Sequence, residues 1–324
     1  MHPAMTTRRT FASAILTTLL LLACPLRSDA SDQPHPYRFG PGYHQPQIES
    51  ASGWQLYVEQ SLTNHWMYRP REYIIDAEVY RALVQLRRGL GGNIELGLGL
   101  PASYLSGGIL DGFIEDFHRT FGLGDASRSS APNQGLVAQV YDWDSETYRS
   151  FLDGDDYGWR LERPELQITW SPSLYLLETA VHCFWRLPLE TGRNTTVEPK
   201  PAYGFSVTVG KRLGAWYISA GPGVSRLRDD YFLGIPLRDW VFGVAGALEY
   251  SPRFGRHRFW LQGLMQKGIA ETYPVLSENR YQFLLGYALR WSETTEFEIN
   301  LLENAIRFDN TPDFGLILGI TRGI

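Results

Sequence analysis

The chain lacks the main features of disulfide-rich, nucleic-acid-binding and helical membrane proteins. It has only two cysteines among 324 residues, Cys24 and Cys183, too few for a disulfide scaffold. Its 30 Lys and Arg stand against 35 Asp and Glu, so the broad positive surface that binds nucleic acid is not expected. It has no apolar run of about 18 residues or more, so no transmembrane helix is predicted.

Recognised catalytic motifs are also missing from the sequence. We find no Gly-x-Ser-x-Gly elbow, no His-Glu-x-x-His pair and no phosphate-binding loop. The sequence therefore predicts no cofactor and identifies no reaction.

Aromatic residues and glycine, by contrast, are abundant. The chain has 10 Trp, 18 Tyr, 16 Phe and 32 Gly, and its mean hydropathy is only -0.24. Such a composition fits a β protein better than a helical one.

Residues 1–30 have the organisation of an export signal. Arg8 and Arg9 precede an apolar segment over 11–23 that is too short to span a bilayer. Because Ala30 ends a stretch suited to signal peptidase, we expect cleavage after it.

Two other interpretations of this region remain open. Leu21-Leu22-Ala23-Cys24 resembles a lipobox, which would make Cys24 a lipidated N-terminus, and the paired arginines resemble a twin-arginine signal. In either case residues 31–52, rich in Pro and Gly, are predicted to form a flexible periplasmic N-terminal segment before the folded part.

From Trp54 onward, apolar residues alternate with small or polar ones. In the last segment Phe314, Leu316 and Leu318 alternate with Gly315 and Gly319. Twelve segments share this pattern: 54–68, 72–87, 94–104, 159–170, 174–187, 203–212, 215–227, 240–251, 258–270, 280–292, 296–308 and 313–324. Adjacent lipid-facing and lumen-facing positions produce such a period of two. The fold class predicted for 53–324 is therefore all-β, an antiparallel transmembrane β-barrel of about 12 strands.

The connections between these segments alternate in length, as in outer-membrane barrels. Turns such as 213–214 and 293–295 are short, while 188–202 and 228–239 are long. An even number of strands would place both ends of the barrel on the short-turn, periplasmic side. A soluble β-sandwich or lipocalin-like barrel remains an alternative, because periodicity does not tell which face points inward.

The longest connection, 105–158, is predicted to be a helical and irregular loop insertion. Residues 106–121 have helical periodicity, with Ile109, Phe113, Phe117 and Phe121 on one stripe. Asp111, Glu115 and His118 share the opposite face, which we expect to be solvated. Later in the insertion, Asp153, Asp155 and Asp156 are weak candidates for a metal site, since closely spaced carboxylates suit Ca²⁺.

The start of this insertion resembles a known bacterial family. Gly107 to His118, with Phe121-Gly122-Leu123 and Arg128, is similar to the signature of a family of uncharacterised outer-membrane β-barrel proteins, a domain-of-unknown-function family with the pattern GGxLDGFIExFH. The resemblance extends over most of the chain after the signal peptide. It implies the same location and fold, and no reaction.

Charged and polar residues within the strands are the candidates for function. The alternation predicts that seven of them line the lumen: Glu59, Glu178, His182, Arg186, Glu249, Gln262 and Arg290. Glu178, His182 and His118 are weak candidates for catalysis. Arg226, Arg228 and Arg238, near the predicted outer rim, are candidates for binding lipid phosphates or an acidic solute.

These features leave three hypotheses for function. The first is a narrow channel or binding barrel for small solutes in the bacterial outer membrane, partly occluded by the insertion. The second is a lipid-acting outer-membrane enzyme, and the third is a structural or adhesion barrel whose loops bind partners. The expected partners are outer-membrane lipid and a small solute, and no nucleic acid.

Overall fold

The computed structural model describes most of the chain after residue 52. The described residues are 53–108, 110–121, 136–142, 145–152, 158–174, 177–189, 201–226, 231–232, 235–252, 255–271, 277–303 and 314–324. The expected signal peptide over 1–30 and the N-terminal segment over 31–52 lie outside them. Within them, no helix is long and apolar enough to cross a membrane.

The described residues form strands with a single helix. The helix is α1 (Asp111–Phe121). The strands are β1 (Trp54–Arg69), β2 (Tyr73–Gly91), β3 (Ile94–Ser106), β4 (Val137–Asp142), β5 (Thr147–Leu152), β6 (Gly158–Leu161), β7 (Glu165–Trp170), β8 (Ser173–Leu174), β9 (Leu177–Arg186), β10 (Ala202–Leu213), β11 (Trp216–Arg226), β12 (Tyr231–Phe232), β13 (Ile235–Pro236), β14 (Trp240–Tyr250), β15 (His257–Gln266), β16 (Arg280–Ser292), β17 (Thr295–Glu303) and β18 (Phe314–Gly323).

Twelve of these strands close into an antiparallel barrel, which confirms the predicted fold class. In circular order they are β1, β2, β3, β7, β9, β10, β11, β14, β15, β16, β17 and β18. Closure comes from β1, which pairs with β2 on one side and with β18 on the other. Most of the barrel strands have at least the 9 or so residues needed to cross a bilayer at a barrel tilt.

The apolar faces of the strands point outward. Leu285 is 59% exposed, Phe242 57% and Ile168 51%, although each lies within a strand. On the opposite face, Glu59 and Arg81 are each only 1% exposed. A soluble sandwich or lipocalin-like barrel would have the reverse arrangement, so that alternative is wrong.

Exposed tryptophans mark the two ends of this apolar band. Trp54, Trp170, Trp216 and Trp291 are all exposed and lie where strands meet the short turns, an end that we call the short-turn end. Trp185 and Trp240 are exposed at the opposite, long-loop end. Aromatic side chains at both rims are typical of barrels in lipid. Trp66 is an exception, because it is only 2% exposed.

Helix α1 lies on the outer side of the barrel wall. Asn64 and Glu78 are register partners on the outward faces of β1 and β2. The Asn64 amide donates to Oδ1 of Asp111 at 3.2 Å, and Glu78 accepts a hydrogen bond from the backbone N–H of Leu110. Phe113 contacts Phe314, also outward, with ring centroids 5.6 Å apart. The helix therefore covers polar residues that would otherwise be exposed at the rim.

The structure differs from the expected helix in its start and its buried face. The helix begins at Asp111 rather than at residue 106. Asp111, expected in solvent, is 5% exposed, whereas Phe113, expected to be buried, is 54% exposed. The reason is the surface on which the helix packs. This part of the wall is polar, and the Asp111 carboxylate accepts a hydrogen bond from Asn64 there.

The next described part of the insertion, 136–152, pairs with the barrel at the long-loop end and contacts its inward face. Strand β4 extends the sheet beside the start of β2, and β5 pairs with β4. Leu136, just before β4, packs with Ala77, Val79 and Leu105. Register places Val79 and Leu105 on the inward face, so the insertion contacts both sides of the barrel wall.

Candidate functional site: the barrel lumen

The strand register places all seven predicted lumen residues on the inward face. Each is in phase with Glu59 through successive register partners around the barrel. The seven are Glu59, Glu178, His182, Arg186, Glu249, Gln262 and Arg290. They are spread over five strands, so their partners differ.

Glu59 is paired with a buried arginine, Arg81, on the inward face of the neighbouring strand β2. Nη1 of Arg81 lies 3.4 Å from Oε1 of Glu59, and its Nε lies 3.0 Å from Oε2 of Glu162. The Tyr57 hydroxyl donates to Glu59 at 2.7 Å. Two carboxylates and one guanidinium thus compensate much of one another's charge on the inward face.

A second paired group surrounds Arg186. Its Nε lies 2.7 Å from Oε2 of Glu165, and both residues are buried. The Gln167 amide donates to Glu165 at 2.5 Å and accepts from Gln85 at 2.5 Å. Four polar side chains from β2, β7 and β9 therefore form one connected network across the wall.

Arg258 is the centre of a third charged group. Its guanidinium lies 2.6 Å from Glu296, 3.3 Å from Glu298 and 3.3 Å from Glu249. Arg290 also reaches Glu296, at 3.8 Å. Three carboxylates and two guanidinium groups leave one net negative charge near the short-turn end.

Large aromatic side chains lie flat over glycines of the neighbouring strand. The ideal Cβ position at Gly286 is 1.9 Å from Cε2 of Trp260, and the same position at Gly210 is 2.0 Å from the Tyr217 hydroxyl. The glycines are therefore required, since a methyl group would collide with the rings. These pairs fill space inside the barrel and narrow the lumen.

The three candidates for catalysis do not form a common site. Glu178 and His182 lie four residues apart on β9, about 13 Å at the strand rise. Nδ1 of His182 is 2.9 Å from Oγ1 of Thr169. His118 belongs to α1, on the other side of the wall. In the described part of the chain, no three His, Cys, Asp or Glu residues are arranged to hold a metal ion.

Arg226 and Arg238 lie near the long-loop end. The Arg226 guanidinium donates to the Tyr203 hydroxyl at 3.2 Å, lies 3.7 Å from Asp239 and stacks 5.7 Å from the centre of the Trp240 ring. Arg238 donates to the backbone oxygen of Glu271 at 3.5 Å. A role for them in lipid or solute binding stays a prediction. Arg228 and the metal candidates Asp153, Asp155 and Asp156 lie outside the described residues.

Sequence reasoning missed Arg81 and the aromatic–glycine pairs, and it did not identify the partners of Arg258. Both arginines lie on the inward face. Arg81 is four residues before Gln85 on β2, and Arg258 is four residues before Gln262 on β15, so each shares the phase of an inward glutamine. That phase was the available signal for placing them in the lumen. Their partners come from other strands, so the identity of each pair depends on register and could not be read from the sequence.

Comparisons with known proteins agree with this architecture. A family model described as "Protein of unknown function (DUF3187)" matches residues 38–324. A comparison with curated proteins finds no match.

Among solved structures, the chain is similar to an outer membrane channel from Pseudomonas putida F1. The TM-score is 0.53 at 12% identity, with 90% of this chain and 99% of the other covered. The NanC porin has a TM-score of 0.48 at 9% identity, with 83% and 100% covered. The translocator domain of the autotransporter NalP from Neisseria meningitidis has a TM-score of 0.40 at 9% identity, with 85% and 90% covered. The likeness to the Pseudomonas channel shows a shared barrel fold.

Proposed function

The chain belongs to the DUF3187 family of proteins of unknown function, and we propose that it is a narrow outer-membrane channel for small solutes. The apolar band between two tryptophan-marked rims fits a bilayer. In bacteria, closed antiparallel barrels with short turns on one side are found in the outer membrane. The similar channel from Pseudomonas putida F1 supports the same location.

One observation carries the proposal, namely the polar and charged lining of the inward face. Charged side chains follow one another inside β1, β2, β7, β9, β15 and β17, and most of them pair with opposite charges. A barrel that served only as a scaffold would be more stable with an apolar interior, because buried ion pairs seldom repay their desolvation. A lining of this kind is useful where water and a solute pass.

Apolar side chains lie inside the barrel at the long-loop end, and in this proposal they restrict the path. Leu136 from the insertion adds to the buried apolar cluster with Val79 and Leu105. Beside the long-loop ends of β14 and β15, Leu237 forms a bridge with Ala270, and both are buried. We therefore assign the insertion the role of restricting the mouth of the channel.

Planar-bilayer recording on the purified protein tests the proposal. We expect small, discrete conductance steps from the full chain. Replacing residues 109–157 by Asn-Gly removes the insertion. Leu105 and Gly158 are register partners, so a short loop can connect the two strands. The conductance of the shortened chain should be larger than that of the full chain.

A pair of point variants serves as the control. Leu136→Ala should increase the conductance, since Leu136 lies in the inner cluster, whereas Phe113→Ala should leave it unchanged, since Phe113 lies outside the wall. If neither the full chain nor the shortened chain conducts, the channel proposal is wrong and a structural or adhesion role remains.

A further inference from the structure

Two arginines inside the barrel differ from the others in having no acidic partner. Five inward arginines lie within 4 Å of a glutamate: Arg81, Arg87, Arg186, Arg258 and Arg290. Arg160 on β6 and Arg280 on β16 have no carboxylate at that distance among the residues that the structure describes. A guanidinium stays charged at every physiological pH, so these two add positive charge that the wall does not compensate.

Arg280 is held at the wall but remains accessible from inside the barrel. It is the first residue of β16, at the long-loop end, and its inward register partner is Gln266. Its Nη2 donates to Oε1 of Gln266 at 2.7 Å, which uses one of the five guanidinium donors. The side chain is half-buried, and its Nη1 is not among the buried nitrogen atoms. The guanidinium is therefore oriented by one contact and still open to a solute.

Arg160 projects into the lumen from the opposite wall. Its neighbour Trp159 is 56% exposed and contacts Tyr104 on the outer face, so Arg160 points inward, beside Ser103. It is half-buried, and no nitrogen of its guanidinium is buried. Because β6 and β7 pair with β3 one after the other, they form one strand of the wall. Five strands separate that strand from β16 in either direction, namely β9, β10, β11, β14 and β15 or β3, β2, β1, β18 and β17.

Both arginines lie beside the apolar side chains that restrict the proposed path. Arg160 is two residues from Gly158, whose register partner Leu105 belongs to the inner apolar cluster. Arg280 pairs with the last residue of β15, from which the chain continues to the buried Ala270. Water screens charge less beside an apolar constriction than on an open surface, so both guanidinium groups should act strongly on a passing solute.

The chemistry of the guanidinium group indicates which solutes it would bind. Arginine binds a carboxylate through two parallel N–H···O bonds, and two arginines on opposite walls match a molecule with a carboxylate at each end. Near the short-turn end, the group around Arg258 has one net negative charge, because three carboxylates face two guanidinium groups. That charge repels anions, so they should be held at the long-loop end.

We propose that Arg160 and Arg280 form a binding site for small dicarboxylates at the long-loop end of the lumen. The site rests on the proposed channel function and names its class of solute. Arg238 adds positive charge at the same rim, since its guanidinium donates to the backbone oxygen of Glu271 at 3.5 Å and has no carboxylate partner in the described part of the chain.

Calorimetric titration of the full, folded protein in a nonionic detergent tests the site without relying on transport. The probes are succinate and its neutral diamide, succinamide, which have the same length and differ in charge. We expect saturable binding of succinate, about tenfold or more tighter than that of succinamide. Added sodium chloride should weaken the binding of succinate, because both arginines are partly accessible to salt.

Variants locate the binding. Arg280→Gln and Arg160→Gln should each lower the affinity for succinate about tenfold. Neither change leaves a described carboxylate without a partner, so both variants should fold. Arg280→Lys keeps the charge and should retain most of the affinity. Lys267→Gln is the control, because Lys267 is an exposed cation that follows Gln266 and points to the outer face, and its loss should leave the affinity unchanged.

The outcomes separate this inference from the channel proposal. The inference is overturned if the folded wild-type protein does not bind succinate, or if it binds succinamide equally well. Wild-type affinity in both glutamine variants, or an equal loss in the Lys267 variant, also overturns it. If succinate binds as expected but the protein shows no conductance, the channel proposal fails while the site stands. Conductance without binding has the opposite meaning.

Discussion

Arg81 illustrates how single residues hold charge inside this barrel. Its side chain is essentially unexposed and bridges Glu59 and Glu162. Removing a buried guanidinium leaves its carboxylate partner buried and uncompensated, which costs far more than the pair contributes in net terms. Such pairs therefore fix the packing of the lumen more than they stabilise it.

We expect Arg81→Met to lower the free energy of unfolding by about 3–5 kcal/mol, because the buried charge of Glu59 would lose the guanidinium that compensates it. Unfolding in urea, followed by tryptophan fluorescence, measures this change. The double variant Glu59→Gln/Arg81→Met should recover most of the loss. Arg119→Met is the control, since Arg119 pairs with Asp116 at the surface, where both are 73% exposed, and no measurable effect is expected. Equal stability of the Arg81 and Arg119 variants would contradict this account.

At the scale of elements, α1 is held to the barrel by polar contacts at its start. Asn64 binds Asp111, Glu78 binds the N–H of Leu110, and Ile114 is 1% exposed. These contacts hold the start of the helix to the wall, so the helix should be the first element to detach when one of them is lost.

We expect Asn64→Ala or Asp111→Ala to release α1, because each leaves the other polar group buried without its partner. Limited chymotrypsin digestion should then cut within 111–121 at least several times faster, while the barrel strands stay intact. Asp116→Ala changes an acidic residue of the same helix that is 73% exposed, and it should leave the cleavage rate unchanged. Cleavage at the wild-type rate in both the Asn64 and the Asp111 variants would argue against the docking contacts.

The strands could be predicted from the sequence far better than the helix or the lumen contacts. β1 was expected over 54–68 and is found at Trp54–Arg69, and β14 was expected over 240–251 and is found at Trp240–Tyr250. Contact with hydrocarbon imposes a strong alternation, so the strand signal is local. The buried face of α1 was predicted wrongly, because its partner surface is polar, and that surface forms only when β1 and β2 pair.

Contacts within the lumen could be predicted only in part, for a related reason. The alternation gives the inward phase of residues such as Glu249 and Gln262. The partners of Arg258, however, come from β14 and β17, and only the register between strands brings them together. No local pattern in the sequence encodes that register.

For the whole molecule, the apolar band sets how much a new charge costs at each height. Leu285 lies in the middle of β16, whereas Leu213 lies at the end of β10, beside the turn at Gly214. Both point outward and are exposed, at 59% and 51%. The two leucines therefore differ mainly in their depth in the proposed bilayer.

We expect Leu285→Arg to destabilise the barrel in lipid by about 2–4 kcal/mol and Leu213→Arg by about 0–1 kcal/mol, because the cost of a charge falls toward the interface. Reversible unfolding in phospholipid vesicles measures both. Similar losses for the two variants would show that the band does not meet hydrocarbon as proposed.

The pairing of β1 with β18 has a consequence for how the barrel is made. Every other pair of neighbouring barrel strands follows in order along the chain. This seam instead joins the first barrel strand to the last, pairing Gln55 with Gly323 and Asn64 with Phe314. It is the contact with the highest loop-closure entropy, so it should form last, once the final strand has been synthesised and delivered. Until then the molecule is an open sheet with two edges of unpaired amides and carbonyls, which hydrocarbon does not tolerate. During assembly, another protein must therefore pair with or cover those two edges until β1 and β18 join.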